Sequence, residues 1–162
     1  MARRPKLPST PALRLLRQLG LPHEPTPYDY VPRGGTSASA AALGVDEHVV
    51  IKTLIFQDAD AKPLIVLMHG DREVSAKSLA RAIGSKLAEP CKPDVAERHS
   101  GYKVGGTSPF GTRSAMPVYV EASVLTLDAV YVNAGARGVL MRVSPQLFVD
   151  VLDATPVQVA RD

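Results

Sequence analysis

Residues 49 to 56 read VVIKTLIF, and all but two of these side chains are apolar. At two residues per repeat, Val50, Leu54 and Phe56 share one face and Ile51 and Ile55 the other. A strand that is apolar on both faces needs cover on both, so it belongs inside a layered fold. Lys52 falls on the first face, among those apolar neighbours. An unpaired charge buried there is costly, or the group loses its proton. Three placements satisfy the chemistry: the side chain snorkels to solvent, pairs with an acid, or faces a polar cavity.

The remaining elements follow from local signals. Thr10-Pro11 offers a capping hydroxyl and a proline at the first helical position. Leu13, Leu16 and Leu19 then form an apolar stripe that Gly20 ends. Pro22, Pro25 and Pro27 force an extended path into Tyr28–Val31, which Pro32-Arg33-Gly34-Gly35 breaks. Ser39 to Leu43 reads as one or two helical turns stopped by Gly44. Asp58 to Lys62 is a turn joining Val49–Phe56 to a second strand, Pro63–His69, as a hairpin. Ser75 caps a helix with Leu79, Ala80 and Ile83 inward and Gly84 at its end. Ser85–Ala88 reads as a short strand, and Pro93 opens a helix over Asp94–His99 that Gly101 terminates. Further strands are expected at Met116–Glu121 and at Ala129–Asn133 with Val139–Val143, a hairpin. Ser144-Pro145 starts a helix through Leu152, and Thr155–Ala160 closes the chain as a strand. Many strands with irregularly interspersed helices indicate an α+β fold.

At 162 residues one domain, residues 10–162, is the expectation. The longest purely apolar run, Leu64 to Met68, is too short to span a bilayer, and no secretory leader is evident. One cysteine, Cys91, allows no intrachain disulfide and fits a reducing cytoplasm. The first twenty residues hold five basic side chains and no acid, so the remainder carries −2 against an overall +3. Residues 1–9 read as a flexible basic tail.

The stretch Gly101–Gly111, GYKVGGTSPFG, is the strongest candidate for chemistry. Gly105 and Gly106 remove two adjacent Cβ atoms, so backbone amides can approach a ligand closely. Pro109 stiffens the turn and Ser108 adds a hydroxyl. Donors on a stiff loop suit a reaction that develops negative charge on oxygen; a tight turn without a ligand is equally open from composition. There is no dinucleotide or Walker-type phosphate loop. His23, His48, His69 and His99 show no metal-ligand spacing with each other or with Cys91, so neither metal nor cofactor is expected. Cys91 has no neighbouring base, and Ser108 has no identifiable His–Asp partners. An enzyme of this composition does not rely on a protein nucleophile.

Three segments together resemble a known family. They are Val50-Ile51-Lys52-Thr53-Leu54, the Gly101–Gly111 run, and Tyr131-Val132-Asn133-Ala134-Gly135-Ala136-Arg137-Gly138. From about Tyr28 to the C-terminus the chain is similar to the YbaK/ProX aminoacyl-tRNA deacylases. These are free-standing relatives of the editing domain in bacterial prolyl-tRNA synthetases, and the Cys-tRNA(Pro) deacylase branch (YbaK/EbsC) is the nearest in pattern. The resemblance implies a mixed, barrel-like sheet flanked by helices. It also implies cleavage of the ester on a mischarged tRNA, as a hydrolase or a lyase. It favours the cavity for Lys52, as an anchor for the terminal adenosine, and gives the Gly105–Gly106 backbone to the substrate carbonyl. Ser108 would orient the aminoacyl group. Tyr28, Thr53, Thr107, Pro109, Asn133 and Gly135 would line the pocket, the last pair on the hairpin turn. Implied partners are the tRNA(Pro) acceptor end and prolyl-tRNA synthetase. Asn133 stands where the family often has Ser, and an aromatic near Arg33–Ser37 has no counterpart; both bear on amino-acid preference. Two further readings are a deacylase of another mischarged tRNA, such as Ala-tRNA(Pro), and a non-catalytic tRNA- or synthetase-binding module. An enzyme acting on another small ester or amide is a third.

Overall fold

A computed structural model describes residues 7–162. Most of the expected basic tail therefore lies outside the described residues. In chain order the elements are α1 (Pro11–Gln18), β1 (Glu24–Pro27), α2 (Gly35–Leu43), β2 (Val50–Asp58), β3 (Pro63–His69), α3 (Ala76–Ile83) and β4 (Ala88–Pro90). They continue with α4 (Pro93–Ser100), β5 (Val118–Glu121), β6 (Val130–Ala136), β7 (Val139–Val143), α5 (Gln146–Asp150) and β8 (Thr155–Val157). Eight strands form one mixed sheet in the order β1-β7-β6-β2-β3-β5-β8, with β4 paired to β2. The α+β class, with helices flanking a mixed sheet, is as the sequence indicated.

β2 and β3 are antiparallel from Ile51↔His69 to Gln57↔Pro63. Their alternate side chains split between two cores. Ile51, Ile55, Ile65 and Leu67 join Leu13, Leu16, Phe110 and Phe148 on one face. Phe56, Leu64, Val66 and Met68 join Leu79 and Val159 on the other. This two-sided burial is what the doubly apolar run required.

α1 is held at its start. The Thr10 Oγ1 accepts the Leu13 N–H and donates to the Ala134 carbonyl of β6. Thr10→Ala removes both bonds at a 4% exposed site. It is expected to cost about 1–2 kcal/mol, read as a lower Tm in a thermal melt, with Thr10→Ser recovering most of the loss. A Thr10→Ala melt that matches wild type would remove the cap from the account.

Several boundaries differ from the sequence reading. Leu19 is 51% exposed because α1 has ended before it. α2 begins four residues early, at Gly35. β4 forms at Ala88–Pro90, after the Ser85–Ala88 stretch, where it can pair with the end of β2. α5 and β8 stop short of Leu152 and Ala160; Ala160 makes only an isolated bridge to Val74. Pro25 and Pro27 sit in β1, which among the described residues is an end strand paired to β7 alone, where the missing N–H groups do no harm.

Candidate functional site

The site begins with an interruption in the sheet. β6 pairs with β2 only at Val50 and Ile51, and β4 only from Phe56 onward. The Val50 carbonyl accepts from Gly70 N–H on the β3 side, and the Ile55 carbonyl accepts from Cys91 N–H on the opposite side. Backbone groups alternate along a strand, so Thr53 turns its N–H and C=O away from β3, into the gap. The Thr53 hydroxyl is buried and has no hydrogen-bond partner.

A cavity of about 640 Å³ lies over this gap. Its wall includes Tyr28, Lys52, Thr53, Gly105, Thr107 and Asn133, six of the residues expected from sequence. Lys52 satisfies two of the three placements at once. It lines the cavity, and its Nζ lies 3.3 Å from Glu73 Oε1, with side-chain exposures of 17% and 75%. The exposed carboxylate is screened by water, so the pair is weak and the ammonium stays available to a ligand. Glu73 gave no sequence signal; the Val74–Ala160 bridge and the Arg161 N–H bond to its carbonyl place it there. Burial pushes the Tyr28 phenol up, so it enters the cavity as a hydrogen-bond donor.

The glycine loop is latched at nearly every polar group of its apex. Val104 N–H donates to Glu97 Oε1 at 3.2 Å, and Gly106 N–H donates to the Lys103 carbonyl at 2.8 Å. The Val104 carbonyl accepts from Arg137 Nε at 2.9 Å, and the Gly105 carbonyl from Asn133 Nδ2 at 3.2 Å. Among the described residues, the Gly105 N–H has no protein acceptor. The reading that both glycines offer the backbone to a carbonyl is therefore narrowed: the Gly106 amide is spent inside the turn. Gly106 serves close packing instead, since a Cβ there would lie 2.9 Å from Arg137 N and 3.0 Å from Ala136 C.

The feet of the loop are sunk in the core. Tyr102 is 5% exposed and Phe110 fully buried, and the Tyr102 hydroxyl donates to the Phe110 carbonyl at 2.7 Å. Burial pushes the Tyr102 phenol up to about 12. Ser108 is fully buried, its Oγ accepting the Phe110 N–H at 3.2 Å. Ser108, Pro109, Gly106 and Gly135 are not on the cavity wall. For Ser108 this corrects the expectation of direct substrate contact: the hydroxyl shapes the loop. Asn133 and Gly135 lie in β6 at a bulge rather than on the hairpin turn, which is Arg137-Gly138. There the Asn133 Oδ1 accepts Gly135 and Ala136 N–H groups while its Nδ2 reaches Gly105. The fold also brings Tyr30, Arg33 and Arg137 to the wall, residues the sequence reading had passed over.

Away from the cavity, His48, His69 and Asp71 place ligand atoms within 4.8 Å of one another. Their sequence spacing had not suggested a cluster. The two rings stack at 3.7 Å between centroids and 7° between planes. Imidazole lone pairs lie in the ring plane, so parallel stacked rings cannot both aim at one ion. The His69 Nδ1 donates to the His48 carbonyl and its Nε2 accepts from Ser123 Oγ, each at 2.7 Å. Burial, against the pull of Asp71 and Glu121, holds the His69 imidazole below its usual range. The unfolded chain thus takes up a proton that the native ring refuses, and stability is lost as pH falls below about 6.5. Urea midpoints from pH 8 to 5 should fall in wild type and flatten in His69→Gln. The Asp71 carboxyl, held down by the His48 hydrogen bond against its own desolvation, acts only at lower pH. Equal slopes in the two proteins would contradict the assignment. Cys91 lies off the cavity, and burial pushes its thiol up, away from a reactive thiolate.

Among the described residues, no helix is long and apolar enough to cross a membrane. A family model described as the aminoacyl-tRNA editing domain matches residues 32–151. EbsC of Enterococcus faecalis, assigned as a Cys-tRNA(Pro)/Cys-tRNA(Cys) deacylase, is 28% identical over 147 residues, 90% of each chain. The proline–tRNA ligase of Nitratidesulfovibrio vulgaris is 32% identical over 85 residues, which are 52% of this chain and 15% of the ligase. A solved structure assigned as a trans-editing enzyme for prolyl-tRNA synthetase matches with a TM-score of 0.83 at 19% identity, over 96% of this chain and 100% of its own. The family match spans Lys52, the glycine loop and Asn133.

Proposed function

Since the chain belongs to the aminoacyl-tRNA editing domain family, we propose that its cavity receives the 3′ end of a mischarged tRNA and cleaves the aminoacyl ester, with Cys-tRNA(Pro) as substrate. The observation that carries this reading is the composition of the wall. It joins an ammonium, Lys52, to a latched loop whose Gly105 N–H is uncommitted, and among the described residues it contains no carboxylate, imidazole or thiol. Such a site can position an activated ester and stabilise an oxyanion, but it supplies neither nucleophile nor general base.

In this mechanism the Gly105 N–H binds the ester carbonyl oxygen as charge develops there. Lys52 holds the terminal adenosine through its phosphate or hydroxyls. Tyr28, Thr53, Thr107 and Asn133 bound the aminoacyl group. The Thr53 hydroxyl and backbone edge are the unpaired polar groups available to its amine. The attacking group comes from the substrate. The cysteinyl sulfur, as thiolate, adds to its own carbonyl carbon, the ester C–O bond breaks, and the departing ribose oxygen takes up a proton. The products are a cysteine thiolactone and free tRNA. With alanine or serine esters an ordered water must attack instead.

Deacylation of Cys-tRNA(Pro), Ala-tRNA(Pro) and Ser-tRNA(Pro) under single-turnover conditions tests this. Cysteine should be released at least about tenfold faster than alanine, a difference of about 1.4 kcal/mol in barrier. Equal rates on alanine would defeat attack by the substrate thiol. The relation to prolyl-tRNA synthetase domains suggests that the synthetase presents the tRNA; adding it should then lower KM without raising kcat.

A further inference from the structure

The cavity wall carries Arg33, Lys52 and Arg137 and, among the described residues, no acid. These cations lie far apart in sequence, so the chain shows no basic run that would reveal them. Arg137 is held in place. Its Nε donates to the Val104 carbonyl at 2.9 Å, and its guanidinium carbon lies 5.5 Å from the centre of the Tyr30 ring. Arg137 is exposed, and its two terminal nitrogens have no carboxylate partner among the described residues. Arg33 is exposed, likewise unpaired, and sits at a φ of 62°, where a side chain is strained. Beside the arginines, Val31 and Val104 are 52% and 47% exposed on the same wall. One held guanidinium, Arg137, and one exposed guanidinium, Arg33, next to exposed apolar side chains and without a carboxylate partner among the described residues, match a nucleotide strand: phosphates on arginine, a base on the apolar surface.

We propose that Arg33 and Arg137 form a phosphodiester clamp at the cavity mouth, with Val31 and Val104 as the surface for an adjoining base. The ligand class is single-stranded RNA entering by its 3′ end. The clamp grips the phosphates that precede the terminal nucleotide. This rests on the aminoacyl-tRNA reading above and extends it to how the acceptor end is drawn in.

The test is chosen to work without turnover. Fluorescence anisotropy with an uncharged single-stranded RNA ending in CCA is measured against salt for wild type, Arg33→Gln and Arg137→Gln. Each variant should weaken binding by roughly fivefold or more at low salt and reduce the slope of log K against log salt by about 0.7, the value for one contact to a single strand. Arg33→Gln is the cleaner variant, because Arg33 makes no hydrogen bond within the described residues. Wild-type affinity and slope in both variants would overturn the clamp. So would competition by AMP as effective as by the CCA trinucleotide, since the site would then read a single nucleotide. A second arm compares mischarged tRNA with 3′-O-aminoacyl-adenosine, which lacks the phosphates. The loss in kcat/KM on tRNA should exceed that on the adenosine ester by about tenfold; equal losses would overturn the proposal. If wild type binds the RNA through both arginines but cleaves no ester, the clamp stands and the deacylase reading falls.

Discussion

Lys52→Ala is expected to lower the deacylation rate on the preferred mischarged tRNA by at least about 100-fold, near 2.7 kcal/mol of transition-state stabilisation. Lys52 is the cationic side chain on β2, beside the gap in the sheet, and its one partner among the described residues is Glu73, whose side chain is 75% exposed. Removing the ammonium therefore strands no buried charge, and the melting temperature should stay within a few degrees of wild type. Lys52→Met keeps most of the apolar stem and separates lost packing from lost charge. If the anchoring role holds, Met is as inactive as Ala. A methionine variant with near wild-type kcat would remove Lys52 from the chemistry, and unchanged turnover in both would remove it from the site.

Gly106→Ala should be damaging for a different reason. A Cβ there meets Arg137 N at 2.9 Å and Ala136 C at 3.0 Å, both backbone atoms at the end of bulged β6. Backbone in a paired hairpin cannot swing aside as a side-chain tip can. The expected cost is about 1–3 kcal/mol of stability. Because the apex must lift off β6, the Gly105 amide shifts as well, and deacylation should drop more than about tenfold. Gly84→Ala is the control. Gly84, unlike Gly106, has a positive φ, 72°, and nothing lies within 4 Å of the added Cβ. Its loss should be about 1 kcal/mol, with catalysis untouched. If Gly106→Ala melts and turns over like Gly84→Ala, close packing of the loop on β6 is not what the second glycine provides.

The framework was legible where the determining signal was local. Caps at Thr10 and Ser75, stops at Gly44, Gly84 and Gly101, and the hairpin around Asp58–Lys62 all rest on a few neighbouring residues, and the structure forms them there. Lys52 could be placed on a face by alternation alone, but its acid partner is 21 residues away and reaches it only because a bridge to the C-terminus holds Glu73. The double glycine marked a tight loop. The Gly106 N–H is spent on the turn bond to Lys103, and the Gly105 carbonyl is taken by Asn133, 28 residues later. Ser108 looked available because it brings a hydroxyl to a glycine-rich loop. Its burial follows from Phe110, which pulls the strand of chain beneath it into the core. Arg137 carries no local sign of a site role, because its bond is to the Val104 carbonyl, 33 residues earlier in the chain. Each of these gaps is a contact between segments distant in the chain.

Phe110 stacks on Phe148 with ring centres 6.0 Å apart, and both are fully buried. The loop is thus fixed twice over, with its base in the hydrophobic interior and its apex bonded to Glu97, Asn133 and Arg137, and is not a flap hinged at the surface. Phe148 is not on the cavity wall, yet repacking there would be transmitted to the Gly105 amide as a change of aim. The temperature at which turnover fails should accordingly coincide with loss of the interior itself, with no earlier softening of the recognition apex.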